Sequence, residues 1–232
     1  FIVSTCTDDL LVKIYEADKI DDYTRTAVWS KAAIKEINTK LHAADQVIGH
    51  NLKYDALVSE RIGILVRAEI CRLLGPIAAK KYQDTSTLSH IIFNNEPHGL
   101  KELSHKYLNI PAVDEYLLKE TITEVHRLRR SFDNAIMKGR KPKAEALDIE
   151  YSPHILSRKD SSNDCDYHIA RHHPELGHIA SKYAGKDALR TMLLWLTYEQ
   201  SLDTDLADRK EAILSVYNRE KLLVFALLRQ AG

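Results

Sequence analysis

Cysteine is scarce in this chain: Cys6, Cys71 and Cys165 are three in 232 residues, odd in number and far apart. That excludes a disulfide framework and any paired-cysteine zinc spacing, and it points to a reducing compartment. Net charge is missing as well, because Lys+Arg and Asp+Glu both number 33. A generic basic coat for nucleic acid is therefore excluded, and any such contact has to be local. No apolar run approaches the roughly 20 residues that span a bilayer, and no signal-peptide pattern opens the sequence. The expectation is a cytoplasmic protein with no membrane partner. What is present is ordinary for a folded domain, with 44% hydrophobic and 28% charged residues, enough for one main core.

Along the chain, FIVSTCT and LLVKIYEA are short apolar runs separated by Asp8-Asp9, which reads as an antiparallel hairpin. Val28, Ala32, Ile34, Ile37 and Leu41 then recur at helical spacing. A strand at DQVIGH follows, then a helix from Tyr54 to Ile62 with Gly63 as its stop. Asp84-Thr85 marks a helix cap before Leu88, Ile91 and Ile92. HGLKELSHKYLNI reads as a short amphipathic helix ended before Pro111, and the helical pattern resumes from Asp114 to Arg130. Residues 138–166 carry Gly, Pro, Ser, Asn and charge, so a long surface insertion is expected there. Two helices close the chain, about Glu175 to Glu199 and about Leu206 to Gln230, the second with more apolar surface than a lone terminal helix can hide. It is expected to pack on a neighbour that this chain need not contain.

Two stretches carry chemistry. In VIGHNLKYDAL a buried strand hands over at His50 and Asn51 to a helix with Asp55 in its first turn. This puts a carboxylate near the carboxyl edge of a sheet, where open α/β sheets bind ligands. Asp55 complementing the helix dipole, with Asn51 as a cap, is the alternative that this stretch leaves open. In SKYAGKDALRT, Tyr183 and Asp187 lie four apart, so phenol and carboxylate share a helix face. A solvated pair is the alternative there.

Together, GHNLKYDALV and, roughly 130 residues later, YAGKDALRT resemble the second and third exonuclease motifs of the 3′-5′ proofreading domain of family A DNA polymerases, particularly of bacteriophage type. QDTSTLSHII and HGLKELSHKYLNI look like the segments those domains carry in between, and REKLLVFALLRQAG looks like the helix leading into the polymerase body. The resemblance covers residues 1–200 as an exonuclease-like domain, with 201–232 as the helix toward a polymerase body in cis or on a separate chain. It implies a ribonuclease H-like α/β fold, a mixed sheet flanked by helices. It also implies a role in DNA replication, in the cytoplasm of a phage-infected bacterial cell. Asp55 and Asp187 would be ligands of two divalent metals, Mg2+ or Mn2+, and Tyr183 would orient the attacking water. Asn51 would lie against the last nucleotide of the substrate, a single-stranded DNA 3′ end. From the residues themselves, His50 reads as a strand-end residue packed near the substrate rather than a metal ligand, and Lys53 either as a contact to the terminal phosphate or as an ordinary exposed lysine. Carboxylates and a phenol suit hard cations roughly 4 Å apart, which thiols or a histidine cluster would not.

One motif departs from the family, which carries Asp-x-Glu on its opening strand. One alignment puts Thr5 and Thr7 there, and threonine cannot replace a bridging carboxylate. Another treats the first two strands as the family's second and third, with the first lying before Phe1; the missing initiator methionine favours truncation. A natural loss of the acids, or an unusual use of Glu16 and Asp18, are the alternatives. Without the motif, this chain alone is expected to cleave poorly or not at all. Rival functions are a ribonuclease D-like RNA exonuclease and a catalytically inactive nucleic-acid-binding module. Cys165, His168, His172, His173 and His178 form a His-rich patch read as polar surface, since Pro174 and Gly177 break metal spacing. The basic run from His126 to Lys143 reads as a solvated face or as a track for single-stranded DNA.

Overall fold

The computed structural model describes residues 2–17, 19–20, 27–73, 75–138 and 177–230. The expected insertion beyond residue 138, the residues Cys165, His168, His172 and His173, the acid Asp18 and residues 139–143 of the basic run lie outside them. In chain order the elements are β1 (Ile2–Cys6), β2 (Val12–Glu16), β3 (Lys19–Ile20), β4 (Ala27–Val28), α1 (Lys31–Ala43), β5 (Val47–Gly49) and α2 (Leu52–Glu60). They continue as α3 (Val66–Leu73), α4 (Gly75–Lys81), β6 (Tyr82–Asp84), α5 (Thr85–Ile92), α6 (Leu100–Leu108), α7 (Val113–Met137), α8 (Gly177–Asp203) and α9 (Lys210–Gln230). The class is α/β, dominated by helix, with small sheets of both pairing types.

The chain divides into two compact units. In the first, β1 pairs with β2 as expected. The connecting turn, residues 6–11, groups with the second unit and is closed by Thr7 N–H donating to Leu11 O at 3.1 Å and Leu10 N–H to Thr7 O at 2.8 Å. The Thr7 hydroxyl bonds the Asp9 carboxylate within that turn, which makes it a turn residue. The amino-terminal part of α8 lies close on this hairpin: Ser4 Oγ donates to Ala184 O at 2.7 Å. A Cβ on Gly185 would stand 3.1 Å from Ile14 Cδ1 and 3.3 Å from Val12 Cγ1. A side chain at 185 would require these two neighbours to give by a few tenths of an ångström. Glu16 accepts a hydrogen bond from Ser181.

The second unit holds α1 to α6, the rest of α8 and all of α9. Ser30 caps α1, its hydroxyl accepting from Ala33 N–H at 3.4 Å. That cap starts the helix later than the apolar spacing suggests, and Val28 falls in β4 instead, paired with Lys19. After α2, Gly63 turns at φ +84°, in the left-handed region that glycine enters freely. Strands β5 and β6 pair in parallel with Val47 opposite Tyr82 and Gly49 opposite Asp84. A parallel pair needs a crossover, which α2 to α4 provide. Leu88, Leu103, Leu194, Trp195, Tyr198 and Tyr217 form a buried cluster that joins α5, α6, α8 and α9. The last helix finds its neighbours inside this unit: α9 packs on α2, α3, α4 and α5. Tyr217 and Lys221 point inward at 1% and 3% exposure, while Leu223 and Leu227 stay exposed.

Candidate active site

The site grows from the carboxyl ends of β5 and β6. At Gly49 the chain turns so tightly into α2 that a Cβ would meet Leu52 Cδ1 at 3.0 Å and Leu52 Cβ at 3.2 Å. Asn51 completes the turn in the left-handed region, φ 66° and ψ 52°, which asparagine tolerates better than most residues. Asn51 occupies the N-cap position of α2, yet its side chain makes no capping hydrogen bond. The cap comes from Asp84, at the end of the neighbouring strand. Its Oδ2 accepts from Leu52 N–H at 2.8 Å and its Oδ1 from Asn51 N–H at 3.1 Å. The same Oδ1 caps α5, accepting from Ser86 N–H at 2.9 Å and Thr87 N–H at 3.3 Å. One buried carboxylate therefore serves two helix N-termini.

Asp55 follows in the first turn of α2. The residue is solvent-exposed, yet the protein crowding its carboxyl, and then the Asp84 carboxylate, push it up to about 6. His50 is half-buried, with Nδ1 2.9 Å from Thr85 Oγ1, and that hydroxyl donates to Gly49 O at 3.1 Å. Burial lowers the His50 pKa, with Asp84, the His98 carbonyl and Glu102 pulling the other way. Lys53 is exposed beside them.

Asp187 lies on α8 in the same unit as Asp55. Its Oδ1 pairs with the Lys101 ammonium and stands 3.2 Å from Arg190 Nη1. Arg190 is 1% exposed and also donates to Pro111 O at 3.0 Å. Residues 98–102 at the start of α6 are a shared neighbour: His98 and Glu102 face His50, and Lys101 holds Asp187. Tyr183 lies one turn earlier on α8, half-buried, and its phenol acts on Lys119 of α7. His178 is an exposed residue in the first turn of α8.

The structure thus gathers His50, Asn51 and Asp55 at one strand end and ties Asp187 to the segment facing His50. Sequence reasoning missed the trans-capping role of Asp84 and the pairing of Lys101 with Asp187. The helix-cap signal at Asp84-Thr85 gave half of the first, since α5 is one of the two helices capped. Nothing in the spacing announces the other half, because the partner amides lie 32 and 33 residues away.

By donor chemistry, Asp55 and Asp187 fit a hard divalent cation. Asp84 does not, because its two oxygens already accept four backbone N–H groups. Among the described residues, no group of three or more His, Cys, Asp or Glu side chains could hold a metal ion. Among them also, no helix is long and apolar enough to cross a membrane. Compared with protein-family models, curated proteins and solved structures, the chain matches none.

Proposed function

We propose that the chain is the 3′-5′ exonuclease portion of a family A DNA polymerase of bacteriophage type, built on a ribonuclease H-like fold. It would trim DNA 3′ ends in proofreading. The observation that carries this reading is the presentation of Asp55 and Asn51 from the carboxyl end of a parallel strand. The Asn51 side chain is not spent on capping and Asp55 is held beside a second carboxylate. A cation held at Asp55 would relieve the repulsion from Asp84, whose own oxygens are taken by backbone N–H groups.

In this reading Asp55 and Asp187 hold Mg2+ or Mn2+, which when bound activates water and neutralises charge on the leaving 3′ oxygen. Tyr183 orients the water through its phenol. The Asn51 amide bonds the last nucleotide, Lys53 meets the terminal phosphate, and His50 packs behind them. Single-stranded DNA is read by backbone contact and stacking, so little sequence preference is expected. The polymerase body lies in cis or on a separate chain.

The rival in which the module binds nucleic acid without cutting it is favoured by one observation. Lys101 and Arg190 already neutralise Asp187. The experiment that separates them is incubation with 5′-fluorescent single-stranded DNA and RNA in magnesium or manganese, with Asp187→Asn as control. The exonuclease reading expects metal-dependent shortening of DNA from the 3′ end, weak or absent in this chain alone, raised when an opening strand carrying Asp-x-Glu is supplied, and lost in the control. Binding with no metal-stimulated cleavage, even after an opening strand carrying Asp-x-Glu is supplied, supports the inactive module, and preferential cleavage of RNA supports the ribonuclease D-like rival.

A further inference from the structure

We propose that Asp84 is the positioning residue of this site: by capping α2 and α5 with one carboxylate, it fixes the turn that presents Asn51 and Asp55. The inference rests on the exonuclease reading for what is positioned, and on geometry alone for how.

A helix N-terminus leaves backbone N–H groups without intrahelical partners, and the residue at the cap ordinarily supplies the acceptor. Asn51 stands at that place in α2 and does not supply it. Asp84 does, from the next strand, at 6% exposure. A carboxylate suits this because it offers two acceptor atoms with about four lone-pair sites between them. A serine hydroxyl or an asparagine amide offers one acceptor atom. Here Oδ2 takes Leu52 N–H, while Oδ1 takes Asn51, Ser86 and Thr87 N–H. The left-handed backbone at Asn51 is held at its own N–H by this bond.

The carboxylate is itself held in place. The Asp84 N–H donates to the Tyr217 hydroxyl at 2.6 Å, and that hydroxyl lies 3.2 Å from the Asp84 carbonyl as its donor. Helix α9 thereby anchors the peptide that carries the cap. A displacement of α2 by a fraction of an ångström would misplace Asp55 and Asn51 together, and small misplacements are costly in sites that work by orientation.

The experiment uses the full chain as wild type, Asp84→Asn, Tyr217→Phe and Leu202→Ala. The last truncates a core residue of 3% exposure on α8, outside the site, and serves as a stability control. Amide hydrogen exchange and the rate of magnesium-dependent DNA trimming are measured on each. Asp84→Asn turns one acceptor into a donor, so exchange at residues 51–52 or 86–87 is expected to rise at least tenfold beyond the Leu202→Ala change. The trimming kcat is expected to fall at least tenfold, while Leu202→Ala stays within twofold of wild type. Tyr217→Phe keeps the carboxylate but releases its peptide, and is expected to give about a threefold change in the same directions.

Unchanged local exchange in Asp84→Asn, or a kcat no lower than that of Leu202→Ala, overturns the proposal. If Asp84→Asn does not fold, Tyr217→Phe decides on the same two readouts. If the wild type trims nothing, which the missing Asp-x-Glu motif leads one to expect of this chain alone, the exchange arm decides whether Asp84 sets the start of α2, and Mn2+ binding by Asp55 and Asp187 tests the exonuclease reading separately.

Discussion

Lys221 on α9 donates to Gln83 Oε1 at 2.7 Å and sits 4.2 Å from the Tyr217 ring centroid, so a cation is buried against the strand that ends in Asp84. Its ammonium also bonds Ala79 O. Burial brings the Lys221 pKa down from 10.5 to about 8, against the opposing pull of Asp84.

The folded-state value lies below the unfolded one, so the charged lysine disfavours folding. That cost is fully present below pH 8 and is relieved as pH rises from about 8 to 10.5, where the folded state sheds its proton first. The unfolding free energy of wild type minus that of Lys221→Met is expected to rise between pH 8 and pH 10. Urea denaturation across that window checks it, and a flat or falling difference contradicts it.

Two glycines bear on helix placement, each inside its own unit. Gly49→Ala puts a methyl 3.0 Å from Leu52 Cδ1, and Gly185→Ala puts one 3.1 Å from Ile14 Cδ1. Each neighbour has to shift, and overpacking of this kind costs about 1–3 kcal/mol. Denaturant titration is expected to show that loss for Gly49→Ala, whereas in Gly185→Ala the gain in helix propensity of about 1 kcal/mol offsets the crowding and leaves a smaller change. Gly49→Ala is also expected to lower DNA trimming beyond the loss of stability, since it displaces the turn before Asn51.

The pair Lys101 and Asp187 divides stability from cation binding. Asp187→Ala removes an acceptor from buried Arg190, which costs about 1–3 kcal/mol, so Asp187→Asn is the cleaner probe of chemistry. Lys101→Met removes a competing positive charge from Asp187. Half-saturation by Mn2+ is expected at a concentration at least threefold lower in Lys101→Met than in wild type. Equal titration curves contradict the competition.

Much of the fold is legible in the sequence where local signals are strong. The hairpin at Asp8-Asp9, the strand at Val47, the cap at Asp84 and the last two helices all fall where turn chemistry and apolar spacing put them. Helices α3 and α4 and strand β6 are not legible. Tyr82–Asp84 is three residues long and has no β-branched residue, too short for an alternation to register. The neighbours of α9 also escape, because Tyr217 and Lys221 meet residues 79–84, more than 130 positions away. The candidate site was half visible: the sequence carries Asp55, Asn51 and Asp187, while the pairing that places them depends on long-range contacts no spacing encodes.

The central claim is that Asp55 and Asp187 together grip divalent cations at a DNA 3′ end, and Mn2+ titration followed by electron paramagnetic resonance tests it without requiring turnover. With a single-stranded oligonucleotide present, the wild type is expected to bind Mn2+ and both Asp55→Asn and Asp187→Asn to weaken that binding at least tenfold. Variants that take up Mn2+ as the wild type does would contradict the account.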